Sequence, residues 1–172
     1  MNAANSKSDL WFFVLFVIVI LYSTGASFLE SLVNYPLWKV IGPSDAWNAY
    51  RIGLGPLIVP VLAIPSLPVS FVLNVILFFK RPVQVPRWTV WVCLLFLFVA
   101  FVSTVAIQLP IQAKLDQGYD AELLDKLIVS DLWLRDLVSV LRVGVLGYMM
   151  YVALGGSKKR IGQDQTTAAS LT

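Results

Sequence analysis

Residues 108–142 read QLPIQAKLDQGYDAELLDKLIVSDLWLRDLVSVLR. Here Gln108, Gln112, Lys114, Asp131, Arg135, Asp136 and Arg142 interrupt sequence that is otherwise built for lipid. An ionisable group at membrane depth is costly unless it faces protein, water or a partner, so each of these is a candidate functional residue. The stretch reads as the end of one membrane helix, an acidic connector and the start of another helix, with polar groups on their inward faces.

The composition supports that reading. Of 172 residues, 58% are hydrophobic and 13% charged, whereas soluble domains hold roughly 25% charged residues. Four charge-poor runs are each long enough to cross a bilayer, which needs about 20 apolar residues. They cover about 10–33, 52–79, 88–110 and 132–154. The expected fold is an all-α, integral membrane four-helix bundle forming a single transmembrane domain, with 156–172 a disordered cytoplasmic tail of Gln, Thr, Ser and Ala.

The chain has no histidine and one cysteine, Cys93. Histidine-ligated haem, His-type zinc sites, a Ser-His-Asp triad and a Cys-x-x-Cys pair are therefore excluded, and no metal or cofactor is expected. Cys93, inside an apolar run, reads as a small buried hydrophobe. The net charge of +3 does not point to nucleic acid, because the basic residues flank apolar segments.

Outward from the opening stretch, each segment carries its own signals. In the connector, Gly118 permits a turn and Asp120 caps a helix whose Leu123, Leu124, Leu127 and Ile128 share a stripe, giving an amphipathic surface helix before the fourth span. Trp88 marks the start of the third span, after the basic loop of Lys80, Arg81 and Arg87. The second span contains Pro56, Pro60, Pro65 and Pro68, each of which deletes a backbone hydrogen bond, so it is expected to kink or open. Asn74 in that span is expected to bond across helices. Pro36 is expected to end the first span, leaving a short extracytoplasmic loop in which Tyr35, Trp38, Trp47 and Tyr50 anchor at the membrane interface and Ser44 caps a short helix. Glu30 and Asn34, one turn apart, share a face. A cleaved signal peptide is the rival reading of the first run, because the small residues 23–27 fit a cleavage region.

Lys7, Lys80, Arg81, Arg87, Lys158, Lys159 and Arg160 fall on one side of four spans, against Asp9 and Asp164. The positive-inside rule places both termini in the cytoplasm, here of a bacterial inner (plasma) membrane. All four helices then bring polar groups to the extracytoplasmic half. Glu30, Asp131 and Arg135 are the candidate catalytic residues, and Asn34, Arg51, Gln108, Gln112, Trp133 and Arg142 the candidate ligand-binding ones. If Glu30 and Asp131 pair with two of Arg51, Arg135 and Arg142, one positive charge remains for a carboxylate, phosphate or phenolate. The alternative is that Glu30, Arg135 and Arg142 form a structural ion-pair network holding the helices in register.

Gln108-x-Pro110-x-Gln112, then Asp131-x-Trp133-x-Arg135 and Arg142 seven residues on, resembles the small four-span proteins related to the anthrone oxygenase family. There the third-helix motif has asparagines where Gln108 and Gln112 stand. The resemblance implies a bundle that binds a small aromatic or lipid-like molecule and oxidises it without a metal, an arginine stabilising a phenolate and Glu30 or Asp131 acting as base. The alternative function is a structural or accessory subunit of a larger membrane complex. Expected partners are membrane lipid, a small aromatic or anionic ligand, and a membrane-protein partner or a second copy of the chain.

Overall fold

The computed structural model of the chain describes the backbone of residues 7–169 and the side chains of 7–58 and 60–155. Every described element is helical, and four helices are long and apolar enough to cross a membrane: α1 (Lys7–Ile41), α2 (Trp47–Phe79), α3 (Arg87–Leu115) and α4 (Ala121–Gly155). The backbone after α4 stays helical to Ala169, where a disordered tail was expected, and the last three residues lie outside the described ones.

The helices pack in a ring, α1 on α2, α2 on α3, α3 on α4 and α4 on α1, so α1 and α3, like α2 and α4, are diagonal. The inward stripe of α1 is Phe13, Phe16, Ile20, Ser23, Ser27 and Glu30, alternating three and four residues as one helix face requires. Along it the chemistry changes from apolar to polar, which divides the bundle. Near the 80–86 loop, Phe13, Phe16, Ile20, Leu73, Leu77, Cys93, Leu146 and Met149 make an apolar core. In the loop itself, burial and the neighbouring Arg87 pull the pKa of Arg81 down.

At the other end, Tyr35, Trp38, Trp47, Leu115, Leu124 and Leu127 form a second core. Three of the four aromatics expected to anchor at an interface, Tyr35, Trp38 and Trp47, are instead buried. Trp38 stands edge-on to both Tyr35 and Trp47, with ring centroids 5.1 and 5.9 Å away. The Trp47 indole donates to the Leu115 carbonyl at 2.9 Å, tying the start of α2 to the end of α3.

Pro36 does not end α1, and the reason recurs along the chain. A π-helical turn, Glu30–Asn34, closes with the Tyr35 N–H bonding the Glu30 carbonyl five residues back, and Pro36 follows immediately. Thr104–Gln108 precedes Pro110 and Val59–Ala63 precedes Pro65 with the same spacing. Proline lacks an N–H and its ring crowds the carbonyl four residues back, so a widened turn upstream lets the helix run on. In α2 two carbonyls at these turns accept from side chains. Val61 accepts from the Tyr22 hydroxyl at 2.8 Å, and Pro65 from the Ser70 hydroxyl at 3.0 Å. The expected opening of α2 is thus two π-helical turns, 59–63 and 65–69, braced by α1.

With α1 prolonged, the link to α2 shrinks to 42–46, and Ser44 Oγ accepts the Ala46 N–H at 3.3 Å within it. Gly42 is needed there, because a Cβ would run into the Tyr119 ring and the Trp38 carbonyl. Asp120 caps the helix after the connector, accepting from the Glu122 and Leu123 N–H groups at 2.9 and 3.0 Å. That helix, Ala121–Asp131, is not a separate surface helix. It runs straight into the fourth span through another π-helical turn, Leu132–Asp136, this one with no proline after it, because Leu124 and Leu127 insert into the aromatic core.

Candidate functional site

Three carboxylates and one guanidinium meet between α1 and α4. Asp131, fully buried, accepts the Tyr35 hydroxyl on Oδ2 and pairs through the same oxygen with Arg135 Nη2 at 2.8 Å. Arg135 Nη2 also donates to Ser31 Oγ at 3.2 Å and lies 3.4 Å from the Tyr35 hydroxyl. Asp136 accepts from Ser27 Oγ at 2.9 Å, with Arg135 Nε 3.9 Å away. Glu30, 2% exposed, accepts from the Asn34 amide at 2.6 Å.

Local structure explains the convergence. The π-helical turn in α1 carries Glu30 and Asn34, and the one in α4 carries Arg135 and Asp136. An added residue in each turn rotates the helix beyond it, so Tyr35 faces inward after Glu30, and Asp131 and Asp136 both do although they are five residues apart. Charge then differs from the expectation of a spare positive charge. Arg51 and Arg142 lie elsewhere, which leaves Glu30, Asp131 and Asp136 around Arg135 alone, and such a set does not favour an anion. Asp131 Oδ1 and Arg135 Nε are buried without hydrogen-bond partners. Among the described residues no group of three or more His, Cys, Asp or Glu is arranged to hold a metal ion.

The remaining residues singled out from sequence separate into four places. Arg51 stacks over Trp38, 4.5 Å from the ring centroid, and its Nε donates to Asp116 Oδ1 at 2.7 Å. With Gln112 and Asp116 it lines a groove of about 460 Å³ between the outer ends of α2 and α3. Gln108 is buried against its own helix, Nε2 donating to Ser103 Oγ at 3.3 Å. Trp133 is 61% exposed and points out of the bundle. Arg142 is buried in the half of the bundle near the 80–86 loop, its Nε and Nη2 without hydrogen-bond partners.

Sequence reasoning did not single out Tyr35, Ser27 or Asp116 as site residues, and it gave Asp136 no specific role. Tyr35 read as an interface aromatic; Asp136 had a signal, since a carboxylate next to Arg135 inside an apolar run is costly unless buried with a partner. A further cavity was not legible at all. On the outer side of the α2–α3 seam lies a half-open groove of about 640 Å³, walled by residues that include Leu67, Phe71, Trp91, Leu95, Phe98 and Phe101.

Fold and site together define a class: an all-helical four-helix bundle, its helices able to cross a membrane, with a closed ionic cluster on one seam and an apolar groove on the opposite one. Comparison with protein-family models, with curated proteins and with solved structures gives no match.

Proposed function

We propose that the protein is an integral membrane protein, of a bacterial inner membrane with both termini in the cytoplasm, that binds a small aromatic or lipid-like molecule entering sideways from the bilayer between α2 and α3. The observation that carries this reading is the 640 Å³ groove, whose walls are aliphatic and aromatic throughout. Its size falls among those of small-molecule sites, roughly 300–1,000 Å³. The prolines and π-helical turns of α2 support it, because they interrupt the regular α-helix beside this seam. The orientation rests on the one-sided distribution of Lys and Arg.

The oxidative chemistry implied by the resemblance to anthrone oxygenase relatives would draw on Glu30, Asp131 and Arg135. These close the α1–α4 seam and do not line the groove. Binding is therefore the activity the geometry favours, and the ionic cluster serves to hold α1 and α4 in register.

Native mass spectrometry of protein extracted in mild detergent tests the proposal. Wild type retains a small molecule of defined mass, and Leu95→Trp, which fills the groove from a 57% exposed position, loses it. An empty wild-type monomer, or retention unchanged by Leu95→Trp, refutes groove binding. A stoichiometric protein partner in its place makes the chain a subunit of a larger membrane complex.

A further inference from the structure

Two polar side chains in the apolar half of the bundle hold buried atoms with no hydrogen-bond partner. Asn74, 1% exposed, leaves both Nδ2 and Oδ1 unpartnered, although an interhelical bond was expected of it. Arg142, 7% exposed, leaves Nε and Nη2 unpartnered. A buried guanidinium without a counter-ion is among the costliest things a helix bundle can hold. Among the described residues, the only titratable side chain whose field reaches it is the Cys93 thiol.

Ring contacts fix how these two residues stand to one another. Phe78 meets Trp91 at 5.2 Å, which sets the antiparallel register of α2 against α3 and puts Asn74 level with Leu95. Trp88 meets Tyr148 at 5.6 Å, which sets α3 against α4 and puts Arg142 level with Leu94. All three segments are regular α-helix there, so counting about 1.5 Å per residue puts the two residues at similar heights, to within about one helical turn. Both are buried, on diagonal helices of the ring, and neither lines the groove itself. The apolar groove lies at the same height. Leu94 and Leu95 line it, Phe71 stands one turn before Asn74, and Leu97 at its floor is only 3% exposed.

We propose that Arg142 and Asn74 are the polar anchor of the groove, and that its ligand is a monoanionic amphiphile. The apolar body lies along α2 and α3, and a carboxylate or phenolate oxygen passes between them to accept from the Arg142 guanidinium and the Asn74 amide. The inference rests on the groove reading and adds the charge of the ligand to it. Buried water satisfies the same donors but leaves the arginine charge unneutralised, whereas an oxyanion answers both. The ionic cluster at the other seam supplies no such anchor, because its carboxylates outnumber its single arginine.

The test uses two probes that differ only in the head group, dibromostearate and dibromostearyl alcohol, whose bromines quench tryptophan. Trp91 lines the groove, so the saturable quenching that disappears in Trp91→Phe reports groove occupancy. The full chain in detergent at pH 8 binds the carboxylate at least tenfold more tightly than the alcohol. Arg142→Gln removes that preference while leaving alcohol binding in place, and Arg142→Lys, which keeps the charge, retains most of it. Equal binding of both probes to wild type overturns the anchor and leaves the groove standing. Absence of any saturable Trp91 quenching overturns the groove reading as well. Should Arg142→Gln not fold, the wild-type comparison and Arg142→Lys still decide.

Discussion

Replacing Asp131 by alanine removes the acceptor of the Tyr35 hydroxyl and the closest counter-ion of Arg135 in one step. The arginine side chain is 12% exposed and Asp131 is fully buried, so water does not make good the loss. Breaking a buried ion pair from one side costs about 3–5 kcal/mol, because a charge is left behind. Asp136 remains 3.9 Å from Arg135 Nε, which puts the expected cost near the lower end, about 3 kcal/mol. Reversible unfolding in mixed micelles, followed by helical circular dichroism, measures it. A double-mutant cycle with Arg135→Ala isolates the pair, and a coupling of about 2 kcal/mol is expected between residues in such direct contact. Additive effects of the two substitutions, or a cost for Asp131→Ala below about 1 kcal/mol, would refute the account of this cluster as the pin between α1 and α4.

Gly42→Ala is expected to destabilise by about 1–3 kcal/mol, since its Cβ lies 2.7 Å from the Trp38 carbonyl, which is backbone and does not yield; Gly144→Ala, with nothing within 4 Å, is neutral or mildly stabilising in the same melt. Orientation is read with a membrane-impermeant maleimide in a Cys93→Ala background. Ser44→Cys, in the exposed 42–46 link, is labelled in intact cells, whereas Val83→Cys, 56% exposed in the basic loop, is labelled only after permeabilisation. The reverse pattern overturns the assigned topology.

How much of this was legible in the sequence varies with the kind of signal. Asp120 caps its helix as a local rule says it should, because the cap bonds N–H groups two and three residues away. Glu30 and Asn34 likewise meet because they are one turn apart. Pro36 misled for the same local reason: the rule that proline ends a helix holds for a regular turn, and nothing in ESLVN announces a π-helical one. The candidate site scattered because its members were grouped by height in the bundle alone. Arg51 and Asp131 share an end of the molecule, yet they belong to different seams.

The class of fold, four apolar helices with their links, follows from the order of residues along the chain, because hydropathy and the spacing of inward residues are properties of each segment alone. The sequence also marked Glu30, Asp131, Arg135 and Arg142 as residues whose burial had to be explained. Which of them meet depends on how the four helices pack. The π-helical turns re-phase the helices that carry them, and the order of packing around the ring puts Arg135 among carboxylates, buries Arg142 in the apolar half and forms a groove that no single segment encodes. Pairing across seams depends on helix rotation and neighbour identity, which are settled when all four helices pack together.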